Sequence, residues 1–218
     1  MPLIKKYWDK IILILLILSY TTIVGKLTIN RHNAFASGFD LGNADQTVWN
    51  TFQGRFFTLT NESQNISRFS IHADLILIFF APLFFIWDNV RILLLVQTVA
   101  LALGAIPLYL LANKVLRNRL ISILIVCFYL LNPGLLWTNV YDFHAVAFVI
   151  PLLIFSFYFA YSKQWLWYWL TIFLSLMTKE QISVTIILFG ILIFFFFKEK
   201  NRFINYHNWF FMVYFNGV

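Results

Sequence analysis

Four short polar stretches carry the side chains able to do chemistry in this otherwise greasy chain. Residues 38–57 place Asp40, Asp45 and Arg55 within two or three helical turns of one another, and charges beside a bilayer are costly enough to mark a site. His72-Ala73-Asp74, following Arg68, and Asp142-Phe143-His144 are Asp/His pairs, and imidazole with carboxylate suits a divalent cation. Neither pair has the i, i+4 spacing of zinc-binding helices, so hydrogen bonding at an interface competes with a metal role. Thr178-Lys179-Glu180-Gln181 adds an ammonium beside a predicted helix start, where a phosphate binds readily.

Each stretch also has a purely structural explanation. Asp is a favoured helix N-cap, which accounts for Asp40 without chemistry. Asp45 lies about 140° around a helix from Asp40, so one regular helix cannot aim both at one point unless Gly42 breaks it. Thr178 and Gln181 fit a capping box, with Thr178 as N-cap and Gln181 at N3. That leaves Lys179 unexplained.

The elements holding these residues must be membrane helices. Mean hydropathy is +0.79, with 61% hydrophobic and 11% charged residues, far from the roughly 25% charged of soluble chains. The expected fold is all-α, a polytopic membrane bundle of about six or seven spans in a single integral domain over residues 1–218. The net charge of +7 sits in clusters at span ends and signals orientation, not nucleic acid. Cys127 is the sole cysteine, which excludes a disulfide framework. Lys5, Lys6 and Lys10 precede the first apolar run without a cleavage site after it, so the run reads as a retained helix with a cytoplasmic N-terminus.

Residues 30–90 form the expected extracytoplasmic loop. Leu41, Ala44, Val48 and Phe52 recur at helical spacing opposite Asp40, Asn43, Thr47 and Asn50, the pattern of a helix lying on the membrane surface. Asn61-Glu62-Ser63 and Asn65-Ile66-Ser67 fit the glycosylation acceptor pattern. If residues 71–88 cross, 5 Lys and Arg lie inside and 11 outside; if they stay interfacial or re-enter, 10 lie inside and 6 outside. The positive-inside rule selects the second arrangement. Spans then fall at about 91–113, 120–138, 145–162, 164–178 and 181–197, and the apolar run 203–218 reads as a span cut short by truncation. Under this map seven of the nine acidic residues, with His32, His72 and His144, face the outer side.

Gly38 to Phe57, His72, Leu131-Asn-Pro-Gly-Leu135, Tyr141-Asp-Phe-His144 and Lys179-Glu180 together resemble the membrane family called domain of unknown function 2079. That family is similar in layout to the C-type glycosyltransferases, which use polyprenyl-phosphate sugars. The resemblance implies sugar transfer at the outer face of the plasma membrane. Asp40 would be the catalytic base, with Asp45 as a second catalytic residue. Lys179, helped by Arg55 or Arg68, would neutralise the phosphate, and His72, Asp142, His144 and Glu180 would line the substrate pocket. A divalent cation stays open. The partners would be the lipid bilayer and the polyprenyl-phosphate sugar. The alternative is a non-catalytic membrane protein or a small-molecule transporter, for which Gly104 and Pro107 supply the mid-span interruption.

Overall fold

The computed structural model describes residues 2–60 and 66–215. It is mostly helical, 79%. The chain forms two compact units, Met1–Ile182 and Ser183–Val218. The glycosylation patterns at Asn61 and Asn65 lie outside the described residues.

In the first unit α1 (Pro2–Asn33) leads into α2 (Phe39–Phe52). A small antiparallel hairpin follows, β1 (Thr58–Leu59) against β2 (Ile66–Ser67), pairing Thr58 with Ser67 and Leu59 with Ile66. A 3-10 helix occupies Leu75–Phe85. Then come α3 (Arg91–Leu103), α4 (Ala105–Leu116), α5 (Arg119–Leu130), α6 (Pro133–Tyr141), α7 (Val149–Tyr161) and α8 (Trp165–Leu176). The second unit is built on α9 (Ile182–Phe215), and the side chains of its apolar run 203–218 lie outside the described residues.

Among the described residues two helical stretches are long and apolar enough to cross a membrane, Lys6–Asn33 and Arg91–Leu116. A third exists if α5 and α6, bent by 42°, count as one span. Helix length thus accounts for two or three of the expected six to seven crossings. The other apolar helices, 145–161, 165–176 and 182–198, are shorter than the roughly 20 residues that 30 Å of hydrocarbon needs. On α1, Ile14, Leu15, Leu18 and Ile23 are all more than half exposed, as lipid contact requires. Residues 75–85 cannot cross alone, since eleven 3-10 residues rise about 22 Å.

The breaks between helices have side-chain causes. The stretch 91–116 is interrupted at Gly104, where Pro107 lacks an N–H and the Tyr129 hydroxyl donates to the Leu101 carbonyl at 2.7 Å. A Cβ at Gly104 would collide with that hydroxyl. Asn118 caps α5, accepting from the Ile121 N–H at 3.1 Å. Asn132 caps α6 in the same way through Leu135, and Pro133 supplies the first helical position.

Two apolar cores result. One joins α2, the 3-10 helix, α3 and residues 143–148; the other joins α1, the α3–α4 junction, α5 and α6. Between α6 and α7 the chain runs extended through Asp142 and His144, and a buried side chain takes the place of a strand partner. The Gln97 amide donates to the Asp142 carbonyl at 2.9 Å and accepts from the His144 N–H at 2.7 Å. Thr98 beside it donates to Asn139 at 3.1 Å, and Asn139 reaches the Tyr20 hydroxyl at 3.4 Å. Replacing Gln97 by Leu strands two buried backbone groups, each worth about 1–3 kcal/mol. Thermal unfolding of the purified Gln97→Leu protein should therefore occur roughly 5–10 °C lower than that of wild type.

Candidate functional site

Helix α2 carries both acidic candidates, and it is unbroken at Gly42. Its entry is fixed by the Gly38 N–H, which donates to Asp142 Oδ2 at 2.9 Å. A Cβ at residue 38 would sit 2.9 Å from that oxygen, so any larger residue there would push the Asp142 carboxylate aside. The N-cap position is Gly38, and Asp40 lies inside the first turn without a capping bond. The capping explanation of Asp40 is therefore set aside. Its Oδ2 instead faces His144 Nδ1 at 3.5 Å, on a carboxylate whose side chain is 63% exposed. Asp45 points elsewhere, as 140° of rotation along a regular helix dictates.

The loop after α2 is locked by a buried ion pair. Arg68 Nη2 lies 2.6 Å from Asp74 Oδ2, with Nε 3.1 Å from both carboxylate oxygens. The fork geometry uses the strengths of a guanidinium and holds both charges out of water without leaving either alone. Phe57, fully buried, stacks on Phe69 at 4.8 Å behind it. From this anchor the chain reaches the end of α8. The Ile76 N–H donates to the Met177 carbonyl at 2.9 Å. His72 Nδ1 meets Glu180 Oε1 at 3.0 Å, and the Ala73 N–H donates to Glu180 Oε2 at 3.1 Å. Backbone N–H groups of Glu180 itself and Ala73, together with the His72 ring, hold the Glu180 carboxyl down at about 2.

These bonds replace the expected capping box. Thr178 is fully buried and its hydroxyl donates to the Ser175 carbonyl at 2.6 Å, back into α8. Helix α9 starts only at Ile182, whose N–H donates to the Lys179 carbonyl at 3.1 Å.

One cavity of about 70 Å³ collects Asp40, Arg68, His72, Asp74, His144 and Lys179, floored by Leu77 and Phe143. Five of the nine expected site residues thus meet there: Asp40, Arg68, His72, His144 and Lys179. Asp142 does not line it, because its carboxylate is spent on the N–H groups of Gly38 and Phe143. Glu180 acts through His72, outside the lining. The Asp/His pairs are formed crosswise, His144 with Asp40 and His72 with Glu180, rather than within each short motif. No group of three His, Cys, Asp or Glu side chains suited to a metal occurs among the described residues. Lys179 makes no side-chain hydrogen bond or ion pair among the described residues, which leaves its ammonium available to the cavity.

The other two expected residues, Asp45 and Arg55, line a separate open cleft of about 430 Å³ with Gly42, Gln46, Trp49, Asn50 and Thr60. Arg55 Nε donates to Asn50 Oδ1 at 2.9 Å, and its guanidinium lies 5.1 Å over the Trp49 ring. Burial, then the nearby Asp88 carboxylate, push the Asp45 carboxyl up to about 6.

The model of the family described as "Predicted membrane protein (DUF2079)" matches residues 31–216. The chain belongs to this family. Among curated proteins and among solved structures nothing matches. The DUF2079 match contains α2, the hairpin and every residue of both clefts. Within the DUF2079 region the residue that sequence reading overlooked is Gln97. Its signal was present, since an amide inside an apolar span is costly without a partner.

Asp45 yields a pH prediction with a definite sign. Its folded pKa of about 6 stands above the ordinary 3.8, so the fold is weakened as pH rises from about 4 to about 6, the loss stays constant above that, and below about 4 it is absent. Asp45→Asn should raise the unfolding temperature at pH 7.5, and the gain should vanish in unfolding scans near pH 4.

Proposed function

We propose that this protein is a membrane glycosyltransferase, moving a sugar from a polyprenyl-phosphate donor to an acceptor hydroxyl at the extracytoplasmic face. The observation that carries the reading is the meeting of an exposed carboxylate, Asp40, with an unpartnered ammonium, Lys179, across one small cavity. Asp40 takes the proton of the acceptor hydroxyl as its oxygen bonds to the anomeric carbon. The bond from that carbon to the phosphate oxygen breaks, and its electron pair leaves with the phosphate. Lys179 receives the developing negative charge, as preorganised cations do best in a partly dry site. Arg68, neutralised by Asp74, shapes the cavity wall and leaves Lys179 as the cation that meets the phosphate.

His144 orients Asp40, and its own placement comes from Gln97. His72, held by Glu180, closes the cavity on the Lys179 side. About 70 Å³ is room for the reacting groups alone, so most of the sugar and the prenyl chain stay outside it, the latter in lipid. Similarity in layout to the C-type glycosyltransferases supports the same assignment of Asp40. A carrier function would need the mid-span interruption at Gly104, and the Tyr129 hydroxyl packs into that break.

The test uses vesicles containing the protein and a radiolabelled polyprenyl-phosphate hexose. Asp40→Asn should retain donor binding while sugar release falls by about 10²–10⁴-fold. Lys179→Ala should fold normally and bind the donor about tenfold more weakly or worse. An Asp40→Asn protein that transfers at the wild-type rate would refute the proposal.

A further inference from the structure

The second cleft holds two opposite charges that do not satisfy each other. Asp45 lines it with Oδ1 buried and without a hydrogen-bond partner. Arg55 spends only Nε, on Asn50, so its two terminal NH₂ groups have no acceptor among the described residues. No ion pair joins Arg55 to Asp45, although both line one cleft. The remaining polar lining is already consumed. Gln46 bonds Thr60 through both amide atoms, and Asn50 Nδ2 donates to the Thr58 carbonyl at 2.7 Å.

A cleft that offers one unspent anion and one unspent cation, held apart over an indole, suits a zwitterion that spans them. Its location narrows the choice. Helix α2 begins six residues after Asn33, the end of a helix long enough to cross the bilayer, so the cleft sits at headgroup level. Phe56 and Phe69, beside it in the loop, are each about half exposed, and Trp49 is 37% exposed, an aromatic set suited to the interface.

We propose that this cleft binds the phosphoethanolamine group of a phospholipid, with the phosphate on Arg55 and the ammonium on Asp45. A primary ammonium donates N–H to the Asp45 carboxylate that lines the cleft, and a quaternary ammonium cannot. The site therefore discriminates ethanolamine from choline lipids. This inference is independent of the glycosyltransferase reading, and its failure would leave that reading untouched.

Native mass spectrometry of the detergent-purified protein tests it with an equimolar mixture of phosphatidylethanolamine, phosphatidylcholine and phosphatidylglycerol. One phosphatidylethanolamine should be retained about tenfold over either competitor, the factor one charge-assisted hydrogen bond provides. Asp45→Asn should bring it down to the phosphatidylcholine level, and Arg55→Gln should reduce its retention. Displacement by soluble phosphoethanolamine would show that the headgroup alone suffices; its failure to displace the lipid would show that the acyl chains contribute. Equal retention of the three lipids by wild type would overturn the proposal, as would an unchanged preference in a folded Asp45→Asn protein. So would displacement of the lipid by a neutral saccharide.

Discussion

The Gln97 amide is the constraint on which the rest of the first unit depends. A chain that breaks between two apolar helices exposes backbone groups with no water to satisfy them. At residues 142–144 that break is extended, and Gln97 meets it as another strand would, one donor to Asp142 and one acceptor for His144. Once the segment is fixed, the Asp142 carboxylate is free to seize the Gly38 N–H and start α2 in place. His144 then stands opposite Asp40. A single buried amide thus sets the position of two residues that are 104 apart in sequence.

Electrostatics explains why the two clefts differ. In the smaller one both lining acids have a partner, Asp74 in Arg68 and Asp40 in His144, and Glu180 behind it has His72. Lys179 is the charge left over, so the cavity favours an anion there. In the larger cleft Asp45 and Arg55 are both left over and stand apart. Helix α2 separates the two environments, presenting Asp40 to one and Asp45 to the other. The unsatisfied carboxyl of Asp45 in one cleft and the unpartnered ammonium of Lys179 in the other are the features on which the two proposals rest.

Much of this was legible in the sequence, for specific reasons. Lipid-compatible composition and basic span flanks fix the class, and helical periodicity finds α2 and its divergent acids. The convergence of Asp40, His72, His144 and Lys179 followed from placing segment ends at one depth. What stayed hidden was pairing. His72 bonds Glu180 across 108 residues rather than its neighbour Asp74, because Arg68 claims Asp74 with a geometrically superior fork. Thr178 was read as a helix cap because local patterns do not reveal that it is buried against Ser175. Residues 71–88 read as an apolar run that stays interfacial or re-enters. Arg68 pins them at Asp74 and the Met177 carbonyl at Ile76, and the run winds as 3-10 helix.

The proposed transfer requires Lys179 to offer an open ammonium to a phosphate entering the cavity. Lysine footprinting measures that directly: wild-type protein is treated with an amine-acylating reagent, with and without polyprenyl phosphate, and modification is quantified at each lysine by mass spectrometry. Lys179 should react in the free protein and be selectively protected by polyprenyl phosphate, while Lys26 and Lys163 are unaffected. Equal labelling of Lys179 with and without the lipid phosphate would contradict that requirement.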